Sequence, residues 1–252
     1  TALTYLKNRG YVSDTVNTFK LGFAPGRWNT LLNHLRSKGF NTAELLEVGL
    51  IVKGERGASS YYDRFRARII FPIFDLRGRT IAFGGRILEK EKGEEPKYLN
   101  SPETPIYHKS ANLYGLFHAK SEMVKAEQAV VVEGYTDVLS LHQAGVSNAV
   151  ATLGTAFTPE HIRLLARFTE KIILVFDPDV AGSLAAERGF DLLGESNVDI
   201  YVVSLPVGTD PADFVTSKGA EEFRKFLHQA LPLVEFCINQ VISRQDITKP
   251  VG

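Results

Sequence analysis

Between residues 127 and 205 the chain repeats one pattern, a short unbroken apolar run followed by a segment with helical spacing. Ala129-Val130-Val131-Val132 and Ile172-Ile173-Leu174-Val175-Phe176 show no alternation of polar and apolar residues, so each is expected to be a strand buried on both faces. Segments 148–153 and 199–205 supply two more strands. Helices are expected at 136–143, from Thr158 with Pro159 in its first turn, and at 181–193. Strand alternating with helix points to a parallel α/β sheet, because a parallel strand pair needs a crossover and helices then cover the faces.

The first 126 residues follow a different grammar. The opening 50 read as short helices, one over 29–39 with a glycine stop and another starting at Thr42. Residues 54–60 form a glycine- and serine-rich loop. In the run 64–74, Phe65, Ala67, Ile69, Phe71 and Ile73 alternate with Arg64, Arg66, Arg68, Ile70 and Pro72, which predicts a strand with a partly basic face. Leu76 to Arg79 is a turn, 80–84 the returning strand of a hairpin, and 89–95 a charged loop. Beyond residue 215 the apolar spacing at Phe223, Phe226 and Leu227, and again at Leu233, Val234 and Ile238, is helical. Three parts follow: a basic α/β subdomain over 1–126, the parallel sheet over 127–215, and the start of a helical segment over 216–252.

In a parallel sheet, ligands bind beyond the carboxyl ends of the strands. Glu133 directly follows the run ending at Val132, Asp177 and Asp179 follow Phe176, and Asp210 and Asp213 lie just past Leu205. Hard divalent cations such as Mg²⁺ take a few carboxylates together with water and substrate phosphates. Clustered like charges raise one another's pKa and need compensation, which a metal ion supplies. The competing reading is that these acids cap the following helices, where an N-terminal carboxylate is favourable. Asp137, in the first turn after Glu133, fits either role.

Charge is divided along the chain although its net value is +0. Residues 1–120 hold 19 Lys and Arg against 11 Asp and Glu, and residues 121–252 hold 10 against 18. The first part therefore suits a polyanion and the second suits cations. Cys237 is the sole cysteine, so neither an intramolecular disulfide nor a cysteine zinc site can form, and a reducing cytoplasmic setting is expected. No signal peptide opens the sequence, and no stretch approaches the roughly 20 apolar residues of a membrane helix. A start without Met and an end on Lys249-Pro250-Val251-Gly252 suggest a piece of a longer protein.

Several motifs resemble a known family. Val132-Glu133-Gly134-Tyr135-Thr136-Asp137-Val138 resembles the glutamate motif of the Toprim domain as worded in bacterial primases. Phe176-Asp177-Pro178-Asp179-Val180-Ala181-Gly182 resembles its Asp-x-Asp motif, and Gly208-Thr209-Asp210-Pro211 its later acidic motif. Arg64-Phe65-Arg66, Ile70-Phe71-Pro72-Ile73, Phe83-Gly84-Gly85-Arg86 and the stretch from Pro96-Lys97-Tyr98-Leu99-Asn100 to Thr104 are similar to the catalytic core of DnaG-type bacterial primases, and the stretch around Lys97 is the most specific. The resemblance runs from about Tyr5 to about Phe236. It implies a Toprim, Rossmann-like sheet, a mixed α/β basic subdomain and a partial C-terminal helical segment. It also implies an enzyme of DNA replication, a nucleotidyltransferase making RNA primers on single-stranded DNA from ribonucleoside triphosphates, with pyrophosphate release.

By the same resemblance, Glu133, Asp177 and Asp179 are catalytic and hold Mg²⁺ or Mn²⁺, with Asp137 and Asp210 contributing. Arg64, Arg66, Arg86, Lys97, Asn100 and Lys109 contact nucleotide, primer or template. The family places a zinc module before this core and a module for the replicative helicase after it, so no zinc is expected here. Guanine-nucleotide regulators are ligands by the same analogy. The sequence departs from the family at Pro178 and Val180, where a small and a basic residue are usual, and at Ala212, where a second acid often follows Asp-Pro; Asp213 stands one position later. Tyr61, Tyr62, Tyr98 and Tyr107 lie near the basic residues, where they either stack bases or fill the core. Three other readings compete with a primase: a Toprim nuclease, a receiver-like regulatory module that needs Mg²⁺ and its acids but not the basic first half, and an inactive nucleotide-binding regulator.

Overall fold

The computed structural model describes residues 2–54, 60–88, 96–176, 192, 198–206 and 208–244. They fall into two compact units, Thr1–Lys109 and Ser110–Gly252.

The first unit opens with helices α1 (Ala2–Asn8) and α2 (Ser13–Thr18), strand β1 (Gly22–Ala24), and helices α3 (Thr30–Ser37) and α4 (Thr42–Glu47). Asn41 starts α4 with a reciprocal cap, its side chain accepting from the Glu44 amide while the Glu44 carboxylate accepts from the Asn41 amide. The buried Asp63 carboxylate, from another element, accepts the amides of Leu31 and Leu32 at 2.7 and 2.8 Å and so closes the start of α3. Strands β2 (Ile51–Lys53) and β3 (Tyr61–Asp63) pair antiparallel. Strands β4 (Arg68–Phe74), β5 (Thr80–Ile87) and β6 (Tyr98–Asn100) join β1 in an antiparallel sheet of order β1-β4-β5-β6.

The β4–β5 hairpin agrees with the sequence expectation, and the Asp75 carboxylate stabilises its turn by accepting the amides of Arg77 and Arg79. The basic strand face does not agree. β4 begins only at Arg68, because Ala67 adopts a left-handed backbone (φ 49°) that resets the side-chain alternation. Within the strand Arg68 keeps the face of Ile70 and Pro72, but that face is covered too, and Arg68 is 1% exposed. Residues 55–59 and the charged segment 89–95 lie outside the described residues.

The second unit contains helix α5 (Leu116–Ala126), strand β7 (Ala129–Val132), helix α6 (Tyr135–Gln143), strand β8 (Ala149–Ala151), helix α7 (Pro159–Leu165) and strands β9 (Lys171–Phe176) and β10 (Asp199–Ser204). Helix α8 (Pro211–Leu227), the two-residue strand β11 (Leu231–Pro232) and helix α9 (Leu233–Arg244) complete it. The sheet order is β11-β10-β9-β7-β8, parallel throughout except for antiparallel β11. Every residue of β7 is buried, as its unbroken valines demand. Thr158 caps α7, its hydroxyl accepting the His161 amide at 3.2 Å with Pro159 in the first turn. α8 is two helical pieces broken at Gly219, whose backbone (φ 84°, ψ 165°) only glycine adopts readily. The helix expected at 181–193 lies outside the described residues apart from Leu192.

Candidate active site

In the second unit the carboxyl ends of β7 and β10 flank that of β9, since β9 is the strand between them. Beyond those ends lies a cavity of about 280 Å³ lined by Glu133, Asp137, Asp210 and Asp213, with Val175, Leu205 and the Gly208-Thr209 turn. Glu133 is exposed on the bend where β7 meets α6. Asp210 is the N-cap of α8, accepting the Asp213 amide at 2.7 Å, so the capping reading holds for this residue while its carboxylate also faces the cavity. Asp177 and Asp179, the acids expected after β9, lie outside the described residues, as do Pro178 and Val180.

Asp137 is 6% exposed and ties the two acidic turns together. Its Oδ2 accepts the Gly134 amide at 3.0 Å, and its carboxylate also takes the Ala212 amide at the start of α8. Burial, then the charge of Asp210, push its carboxyl up to about 7; the Gly134 and Ala212 amides pull the other way, and Glu133 adds a smaller upward push. A buried carboxylate facing other carboxylates is a place where a cation lowers the free energy. The donor chemistry, carboxylate oxygen alone, is that of a hard divalent cation and not of a thiolate metal. Among the described residues no three His, Cys, Asp or Glu side chains stand close enough to cage an ion. Mg²⁺ does not require such a cage, because it keeps waters and substrate phosphates among its ligands.

In the first unit, β5 and β6 gather four of the expected basic and polar residues. Arg86 pairs with Tyr98 across the strands and Gly84 with Asn100. The Arg64 Nε donates to the Asn100 carbonyl at 3.2 Å, and burial lowers the Arg64 pKa. Lys97 is exposed, with Nζ 5.8 Å from the Tyr98 ring centre. Arg86 is 8% exposed, its guanidinium 4.5 Å from the Tyr5 ring and 5.9 Å from the Tyr98 ring, and its buried Nε has no hydrogen-bond partner. An unsatisfied guanidinium nitrogen is costly. Lys109 lies further along, where its amide donates to the Glu103 carboxylate at 3.1 Å.

Arg66 belongs to a cluster of its own. Its guanidinium stands 4.4 Å from the Trp28 ring and 5.0 Å from the Tyr62 ring, and Nη1 donates to the Asp63 carbonyl at 2.7 Å. Trp28 is 61% exposed and escaped the sequence reading; the signal was there, since it is the chain's single tryptophan, set in a turn-forming stretch. Of the four tyrosines offered for stacking, Tyr107 is fully buried and belongs to the core.

Comparison with known proteins agrees with this geometry. Residues 1–120 match the family described as the DNA primase catalytic core, N-terminal domain, and residues 130–215 match the Toprim-like family. The Clostridium acetobutylicum DNA primase is 43% identical over 98% of this chain and the Escherichia coli K12 DNA primase is 41% identical over 100% of it. The chain spans only 40% and 43% of those two proteins. Among solved structures, the E. coli primase catalytic core superposes with a TM-score of 0.88 at 40% identity, covering 99% of this chain and 79% of that one. A DnaG primase catalytic domain bound to single-stranded DNA gives 0.85 at 38% identity, covering 99% and 77%.

Fold and acidic edge together define a Toprim protein, a parallel sheet with carboxylates beyond its strand ends, here preceded in the chain by an antiparallel basic unit. Within that class, the chain belongs to the family of bacterial DnaG-type primase catalytic cores.

Proposed function

We propose that the chain is the polymerising core of a primase, joining ribonucleoside triphosphates into an RNA primer on a single-stranded DNA template. The observation that carries this reading is the acidic cavity at the sheet edge, where Asp137 is buried against Asp210 and Glu133. Glu133, together with Asp177 and Asp179 from the stretch after β9, would hold Mg²⁺ or Mn²⁺, with Asp137 and Asp210 in support. When bound, the divalent ion lowers the pKa of the attacking hydroxyl and neutralises the departing pyrophosphate. A primer 3′-hydroxyl, or that of a first nucleotide, attacks the α-phosphate, and no side chain is needed as general base. Asp137 accepts amides from both the Glu133 and the Asp210 turns and so holds the two turns together beside the cavity. Arg64, Arg66, Arg86, Lys97, Asn100 and Lys109 take phosphates of the triphosphate, primer and template. Arginine forks suit those oxygens and carry no sequence information.

The three-part division at residues 126 and 215 is our reading of how these tasks separate. A cytoplasmic setting, a helicase contact through a module outside this chain and competition by guanine nucleotides go with the same proposal. The decisive experiment incubates the protein with labelled single-stranded DNA and ribonucleotides in Mg²⁺. Ribonucleotide-dependent products support a primase, and shortening of the DNA without ribonucleotides would instead establish a nuclease.

A further inference from the structure

Arg68 is a buried cation with no part in the proposed chemistry. It begins β4, yet its side chain reaches across β5 to the segment that leads into β6. Its Nη1 donates to the Pro96 carbonyl at 2.9 Å, the Gly85 carbonyl at 3.3 Å and the Lys97 carbonyl at 3.4 Å. The Lys97 carbonyl also accepts the Ile87 amide at 3.1 Å, which extends the β5–β6 pairing by one residue. Arg68 itself pairs with Ile87 across β4 and β5. One guanidinium therefore grips the β5 backbone next to Arg86 and the backbone of Lys97 together.

Glycine at position 85 makes the crossing possible. A Cβ there would stand 2.7 Å from Phe65 Cδ1, which must then move, and 3.0 Å from Arg68 Cδ, which must give by a few tenths of an ångström. Burying a guanidinium is expensive unless its protons are all accepted. That expense is hard to explain as sheet stabilisation, because an apolar side chain of similar volume would serve at least as well. It is explained if the stretch around Lys97 must be held in one place.

We propose that Arg68 is a positioning residue: its guanidinium sets Pro96 and Lys97 against β5, and so fixes where Lys97 and Arg86 meet a phosphate. The proposal deepens the reading given above and rests on it for the role of those two residues. Lysine is a poor substitute for Arg68, since an ammonium is more strongly hydrated than a guanidinium and costs more to bury.

The test uses the whole chain with Arg68→Lys, Lys97→Ala and the double variant, with Gly85→Ala as a second way to displace Arg68. Hydrogen exchange at the Ile87 amide reads the position of Lys97 directly, with the Val131 amide of β7 as reference. Arg68→Lys is expected to lower protection at Ile87 while Val131 is unchanged. Its affinity for a fluorescent single-stranded oligonucleotide is expected to fall roughly tenfold, the scale of one charge-assisted contact. In the Lys97→Ala background the same substitution should add little, the signature of two residues acting through one contact. Gly85→Ala should reproduce the exchange change if Arg68→Lys does not fold. Unchanged exchange at Ile87, or losses from Arg68→Lys and Lys97→Ala that multiply, overturns the proposal, because a purely structural arginine would act independently of Lys97. A wild-type protein that makes no primer sinks the functional reading instead, while exchange and oligonucleotide binding still decide the role of Arg68.

Discussion

Asp137 carries more of the acidic edge than its place in the sequence suggests. As the fifth residue after the β7 run it reads equally as a helix cap or a metal support; only the fold shows one carboxylate accepting amides from the starts of both α6 and α8. Its folded pKa of about 7 lies above the ordinary 3.8, so the charged form opposes folding. In metal-free protein the associated stability is therefore fully present below the unfolded value of 3.8 and is lost as pH rises through about 7. We expect denaturation midpoints in chelator to fall between pH 5 and pH 8, by on the order of 3 kcal/mol at most. Asp137→Asn should flatten that dependence, and Mg²⁺ should restore the wild type at pH 8. A wild-type midpoint that does not move with pH would contradict the burial argument. Glu133 was legible from a single fact, an acid directly after a buried strand. The partnership of Arg66 with Trp28 was not, because residues 38 positions apart meet only through the tertiary fold.

At the scale of elements, the strands that announced themselves are those whose sequence and burial agree. β7 and β9 are unbroken apolar runs with no competing period, and they appear within a residue of where they were expected. The run 64–74 misled because alternation was read through Ala67, whose left-handed backbone no residue-by-residue pattern encodes. β6 and β11 are three and two residues long and exist only by pairing with β5 and β10. Gly219 is a similar case: a glycine inside helical spacing, which turned out to carry a backbone reserved for glycine. Gly219→Ala should therefore destabilise the protein by about 1–3 kcal/mol, measured as a lower thermal midpoint; an unchanged midpoint would mean that α8 straightens without cost. His142 joins α6 to β8, its Nε2 meeting the Ala149 carbonyl at 2.8 Å. Burial lowers its pKa below the ordinary 6.5, opposed in part by that hydrogen bond. The depressed value means stability is full above 6.5 and falls as pH drops through 6.5 towards the folded pKa. Replacing His142 with Gln should remove this acid-side loss, seen in denaturant melts between pH 7 and pH 5.

For the molecule as a whole, a net charge of +0 conceals a basic first unit and an acidic second one. That division was legible from counting alone, and so was the fold class, because βαβ grammar admits few topologies. How deeply each arginine sits was not legible: Arg68 is buried where a partly basic strand face was expected and Arg86 is 8% exposed, since the choice between solvent and sheet interior is made by neighbours such as Gly85 and Tyr5. If the basic unit tracks a phosphate backbone, affinity for single-stranded DNA must fall steeply with salt. Arg66→Ala should then flatten the log–log slope by about 0.7, one released counterion on a single strand. The central claim is that carboxylates beyond the strand ends hold the metal for primer synthesis. The most direct measurement is ribonucleotide incorporation on single-stranded DNA by Glu133→Ala, with folding checked by circular dichroism. The account predicts a folded protein that makes no primer at any Mg²⁺ concentration while still binding DNA; a folded Glu133→Ala protein that synthesises primer at the wild-type rate would contradict it.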